Sequence, residues 1–124
     1  MKIKINSFWP AIVWLMVSTI AFFLPGKALP ENDWFGKLQV DKWIHIGLFT
    51  IMIVLWCLPL LHRHVQKVPR LFMQIAIIFL GYGVVIELIQ HFFIPNRSFD
   101  WGDIAADTVG CLIGFFYVRN QWKR

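Results

Sequence analysis

Apolar runs long enough to cross a lipid bilayer constrain this chain more than any other feature. Four can be read directly in its 124 residues, at 8–24, 43–61, 71–90 and 102–118. A helix rises ~1.5 Å per residue, so each run is near the ~20 residues that cover ~30 Å of hydrocarbon. The first and last are slightly short, a gap that flanking residues or local thinning of the bilayer close. The composition agrees: 58% of residues are hydrophobic, 15% are charged and 17% are aromatic. That excludes disorder and exceeds what one small soluble core could hide. The expected fold is all-α, a single transmembrane domain over residues 1–124 built as an antiparallel bundle of four transmembrane helices.

The connections read as turns. Pro25-Gly26, Pro30-Glu31-Asn32-Asp33 and Gly36 interrupt the first; the second, at 62–70, is short and basic. Pro95-Asn96 in the third brings the last two runs into an antiparallel pair. The formal charge of +5 comes from 12 Lys+Arg against 7 Asp+Glu. The basic residues are scattered at the ends of apolar runs, which fits membrane orientation and not a nucleic-acid surface. With alternating spans, Lys2, Lys4, Arg63, Lys67, Arg70, Arg119, Lys123 and Arg124 share one side, and Lys27, Lys37, Lys42 and Arg97 share the other. By the positive-inside rule both termini are expected in the cytoplasm. All the acids, Glu31, Asp33, Asp41, Glu87, Asp100, Asp103 and Asp107, fall on or near the outer side.

Trp9, Trp43, Trp101 and Trp122 sit at run ends, where an indole buries its ring and wets its N–H. The first 24 residues have a basic start and a weak cleavage-like triplet, Thr19-Ile20-Ala21. That triplet lies inside the apolar run, so an uncleaved anchor is expected. Cys57 and Cys111 fall too deep for secretory disulfides and read as small buried hydrophobes.

The informative residues are polar groups at membrane depth. Lys42 and His45 open the second run, and Glu87, Gln90 and His91 lie within one turn at the end of the third. Asp100, Asp103 and Asp107 fall within roughly 60° of one another on a helical wheel. Three helices thus bring ionisable groups to one level. A carboxylate facing lipid at mid-span costs ~3 kcal/mol, so these groups are expected to face inward. Gly110 and Gly114 extend the stripe of Asp103 and Asp107, and Gly83 stands four before Glu87. Small residues let helices approach closely, and the two stripes are expected to meet. The result is an expected cup near the outer leaflet, lined by His45, Glu87, Gln90, Asp103 and Asp107 with Lys42 and Arg97 at its rim. An interhelical hydrogen-bonded clasp that only fixes packing is the competing explanation. Asp41 and Asp100 serve most simply as helix N-caps.

Asp41-Lys42-Trp43-Ile44-His45, Gly83 through Glu87-Leu88-Ile89-Gln90, and Pro95-Asn96-Arg97-Ser98-Phe99-Asp100-Trp101-Gly102-Asp103 leading to Gly110 and Gly114 occur in this order. In them the chain resembles the VanZ-like family of small bacterial membrane proteins, over residues 41–116. The resemblance implies a role in the cell envelope, and its namesake is associated with low-level resistance to the glycopeptide teicoplanin. Asp107 departs from the pattern, because the family commonly has Asn there.

Two functions are weighed. One is binding of a lipid-linked envelope molecule, such as a cell-wall precursor, or of a glycopeptide-related partner, with Lys42, Gln90, Arg97, Ser98 and Asp100 as contacts. The other is a membrane enzyme acting on a lipid-linked substrate, in which His45, Glu87, Asp103 and Asp107 supply acid–base chemistry. No cofactor is expected. Hard oxygens with an imidazole suit a divalent metal, but His-x-x-x-His and Cys-x-x-Cys spacings are missing. Proton-coupled transport ranks last, because no run is broken midway. The expected location is the bacterial cytoplasmic (inner) membrane, multi-pass, with the polar site facing the periplasmic or extracellular side. Membrane lipids are expected partners, nucleic acid is not, and an oligomer is compatible with the pattern.

Overall fold

Helices form where the apolar runs lie, because only a helix satisfies every backbone polar group within one segment in lipid. The computed structural model describes residues 7–23, 40–61, 68–93 and 101–123. Its elements are α1 (Trp9–Phe22), α2 (Val40–Leu61), α3 (Val68–Phe93) and α4 (Trp101–Lys123). The last three are long and apolar enough to cross a membrane, over Lys42–Leu61, Arg70–Phe93 and Trp101–Trp122. The chain is thus a multi-pass membrane protein. α1 is shorter than its run predicts: its 14 residues rise only ~21 Å. Pro10 stands in its first turn, where a missing N–H is tolerated, and the Phe23 N–H closes its end onto the Thr19 and Ile20 carbonyls. Of the four expected spans, three appear among the described residues as helices of spanning length, and the first appears as a shorter apolar helix. The turn signals at Pro25-Gly26, Pro30 to Asp33, Gly36 and Pro95-Asn96 lie outside the described residues.

Contact registers give the helix directions. Lys42 meets Asp103, His45 meets Asp107, Gly110 lies against Ile46 and Phe49, and Gly114 lies against Thr50 and Ile53. α2 and α4 therefore run side by side in the same direction. α1 runs against α2: Phe22 meets the rings of His45 and Phe49, the Trp14 indole donates to the Leu48 carbonyl at 3.1 Å, and Phe8 meets Trp56. α1 runs with α3, since Thr19 bonds Tyr82 at 2.6 Å and Gln90 bonds the Phe22 carbonyl at 2.6 Å. Sequence neighbours are consequently antiparallel, while the most extensive interface joins α2 to α4.

Glycines make that interface. A Cβ added at Gly110 would stand 2.6 Å from the Ile46 carbonyl oxygen, and one at Gly114 would stand 2.7 Å from Ile53 Cβ. Backbone approach this close is the usual membrane solution, where no hydrophobic force drives helices together. Thr50 Oγ1 reinforces it, reaching the Gly110 carbonyl at 3.2 Å as well as the Ile46 carbonyl at 2.7 Å. The glycine stripe of α4 thus serves α2. The expected meeting with the α3 stripe is seen at Gly83, where an added Cβ would stand 2.6 Å from Asp107 Oδ2.

The core gathers Phe49, Met52, Ile53, Phe72, Phe79 and Ile86 around the buried, free Cys57 and Cys111. Outward-facing Ile12, Met16, Ile77, Ile78, Ile113 and Phe116 are exposed, an inversion that suits hydrocarbon as solvent. Trp9, Trp43, Trp101 and Trp122 are also exposed near helix ends, as membrane anchors require.

Candidate functional site

Helix direction decides which polar groups meet. α2 and α4 begin at the end of the bundle where α3 finishes. His45 is ~8 Å along α2, Asp107 ~9 Å along α4, and Glu87 ~9 Å before the end of α3. All three therefore lie at one depth. Spacings of three on α2 (Lys42, His45) and four on α4 (Asp103, Asp107) put each pair on one helical face, turned toward the other.

The pairs interlock. His45 Nδ1 lies 2.7 Å from Asp107 Oδ1, and Lys42 Nζ donates to Asp103 Oδ1 at 2.7 Å. His45 Nε2 faces Asp103 Oδ2 at 3.9 Å, beyond hydrogen-bond reach. An ionised carboxylate only accepts, so Nδ1 carries the proton toward Asp107, while Nε2 faces Asp103. Gly83 makes room for the Asp107 carboxylate, and the Phe22 ring stands 5.1 Å from that of His45.

His45, Glu87, Gln90, Asp103 and Asp107 are all buried, as the cost of charge in lipid demands. Lys42 and Asp103 are the more open pair, with side chains 18% and 10% exposed. They form the outer layer of the cluster over His45 and Asp107. Among the described residues no group of three or more His, Cys, Asp or Glu side chains is placed to hold a metal ion.

Six of the sequence-derived site residues, Lys42, His45, Glu87, Gln90, Asp103 and Asp107, belong to the same end of the bundle. Arg97, Ser98 and Asp100 lie outside the described residues, as does the side chain of Asp41. Gln90 has a local task, because its amide Nε2 donates to the Phe22 carbonyl at the end of α1. Gln90→Ala should leave that buried carbonyl without its donor, at about 1 kcal/mol, the scale of hydrogen bonds between membrane helices. The check is amide hydrogen exchange. Faster exchange is expected in the last turn of α1, with α2 and α4 unchanged.

Sequence reasoning missed Phe22, Thr19 and Tyr82. The last two carry hydroxyls inside apolar runs, a signal that could have found them. Phe22 has no such mark, since its role comes only from which ring it meets. Thr19 Oγ1 gives its proton to the Leu15 carbonyl at 2.8 Å, so the Tyr82 hydroxyl donates to Thr19.

No curated protein and no solved structure matches this chain. A family model described as VanZ/LLP1 matches residues 5–121, which takes in α1, the buried cluster and the α2–α4 seam. With its polar motifs assembled and nearly its whole length covered, the chain belongs to the VanZ/LLP1 family.

Proposed function

We propose that this VanZ/LLP1 membrane protein binds the headgroup of a lipid-linked envelope molecule, such as a cell-wall precursor, at the polar end of its bundle. The supporting observation is the layered pair of contacts, the Lys42–Asp103 ion pair above the His45–Asp107 hydrogen bond. Gly110, Gly114 and Thr50 already hold the two helices together one turn further in, so the polar pairs add to a seam that is closed without them. Lys42 and Asp103 are open enough for a polar headgroup to compete for them, and both offer charge-assisted hydrogen bonds. Arg97, Ser98 and Asp100 immediately precede α4 in sequence and extend the contact set. The charge bias supports a four-span bundle in the bacterial cytoplasmic membrane, with both termini inside and this end facing the periplasmic or extracellular side. Low-level teicoplanin resistance is the cellular effect that the family suggests.

A second reading is favoured by one observation, the His45–Asp107 pair. A carboxylate that fixes an imidazole through Nδ1 prepares Nε2 to move a proton, as a lipid-modifying membrane enzyme would require.

The test uses the purified chain in lipid nanodiscs with a lipid-linked cell-wall precursor as probe. Asp103→Asn and Lys42→Met should each weaken binding at least tenfold while the helical spectrum is kept. Unchanged binding in both variants would reject the headgroup reading. Mass spectrometry of the recovered probe decides the second reading: a covalently altered lipid, lost in His45→Gln, would make the protein an enzyme.

A further inference from the structure

A lateral groove lies below the buried cluster. It lies between α1 and α3 with α2 behind it, lined by Leu15 and Thr19, by Trp56, and by an α3 row from Ile75 to Tyr82. Its volume is about 480 Å³. Ile75 and Tyr82 are ~10 Å apart along the helix, so the groove is long enough for a stretch of chain-like ligand. Tyr82 stands ~16 Å from the end of α3, which places the groove at hydrocarbon depth.

The walls offer water almost nothing. The hydroxyls of Thr19 and Tyr82 are spent on each other and on the Leu15 carbonyl, and the rest of the lining is overwhelmingly carbon. A hollow of this kind on a lipid-facing surface fills with hydrocarbon, because an empty one forfeits dispersion contacts along its whole wall. Trp56, Phe79 and Tyr82 form a continuous aromatic side, with ring centroids 5.9 Å apart at each step.

Its position separates it from an ordinary lipid contact. Above Thr19 and Tyr82 one aromatic layer, Phe22, Phe49 and Tyr82, divides the groove from His45. A smaller hollow, about 170 Å³, lies between α3 and α4 and is lined by Met73, Ala76, Thr108 and Cys111 among others.

We propose that the α1–α3 groove seats the hydrocarbon tail of the lipid whose headgroup engages Lys42 and Asp103. The assignment rests on the binding reading above. A lipid with its head at the polar end must send its tail along the bundle. This groove is a concave track on the same bundle below the cluster, with α1 as one of its walls. Hydrogen bonds at Trp14, Thr19 and Gln90 hold α1 beside α2 and α3 and so fix the wall of the groove.

The test uses the full chain in nanodiscs and a lipid-linked precursor that carries a photoactivatable diazirine in its tail. After irradiation, cross-links mapped by mass spectrometry should fall on Leu15, Ile75 and Phe79 at least fivefold more often than on the lipid-facing controls Ile113 and Phe116. Ile78→Trp, which places a large ring at the groove mouth, should remove that enrichment and weaken precursor binding at least threefold. Ile77→Trp, on the neighbouring outward face, should change neither. Uniform labelling of all lipid-facing positions, an enrichment that survives Ile78→Trp, or cross-links from the groove to a second copy of the chain would overturn the assignment. Uniform labelling together with Asp103-dependent binding rejects the groove alone. Groove labelling with binding indifferent to Asp103 rejects the headgroup reading, and with it the claim that one lipid fills both places.

Discussion

Asp107→Leu is expected to unfasten the polar end of the bundle at a cost of about 1–3 kcal/mol, the usual penalty for leaving a buried polar group without its hydrogen-bond partner. Two contacts are lost together. His45 Nδ1 loses its acceptor at 2.7 Å, and branched methyl groups replace a flat carboxylate whose Oδ2 fills the space left by Gly83. Asp107→Asn is expected to behave differently. An amide oxygen still accepts from His45 Nδ1 and has nearly the same shape, so its thermal midpoint should stay close to that of the native chain. The Asn that the VanZ-like pattern commonly carries at this place agrees with that expectation. Melting of the two variants in nanodiscs, followed by circular dichroism, separates the roles. If Asn is as damaging as Leu, charge rather than hydrogen bonding holds His45.

The second large effect concerns Gly110. A Cβ there meets the Ile46 carbonyl oxygen at 2.6 Å and Phe49 Cβ at 2.9 Å, and neither atom is the free end of a flexible side chain. Gly110→Ala must therefore push α2 away from α4, with an overpacking cost of about 1–3 kcal/mol. The shift would also stretch the Thr50 bond to the Gly110 carbonyl and pull His45 from Asp107 one turn above. Gly47 and Gly81 supply the contrast, since a Cβ at either meets nothing within 4 Å. Alanine there should be neutral, or stabilising by up to ~1 kcal/mol through helix propensity. Unfolding titrations in mixed detergent micelles measure all three, and equal stability of Gly110→Ala and Gly81→Ala would refute the close-packing account.

Much of this arrangement was legible before any coordinates. Ionisable residues in apolar runs are rare and costly, so His45, Glu87, Asp103 and Asp107 announced a shared interior from their depth alone, with Lys42 at its rim. The 3.6-residue period correctly set Asp103, Asp107, Gly110 and Gly114 on one buried stripe. What the stripe would touch could not be read, because a small-residue face fits any close neighbour. Its glycines pack on α2, whereas Asp107 turns toward Gly83 of α3. The length of α1 was equally hidden, since an apolar run does not say where a helix within it stops. Phe22 was missed for a related reason: partner choice is non-local, and an apolar ring leaves no trace of it in composition.

The dominance of the α2–α4 seam has a consequence for biosynthesis. These helices are separated in the chain by all of α3, so a nascent polypeptide delivers α2 to the membrane well before its main partner exists. During that interval Lys42 and His45 lack Asp103 and Asp107, and the α2 backbone at Ile46 and Thr50 lacks its glycine cover. An insertion intermediate halted after α3 must hold those groups near the aqueous boundary or in the insertion machinery. Commitment to the mature architecture comes when α4 slides in alongside α2, making the order of emergence as decisive as the contacts themselves.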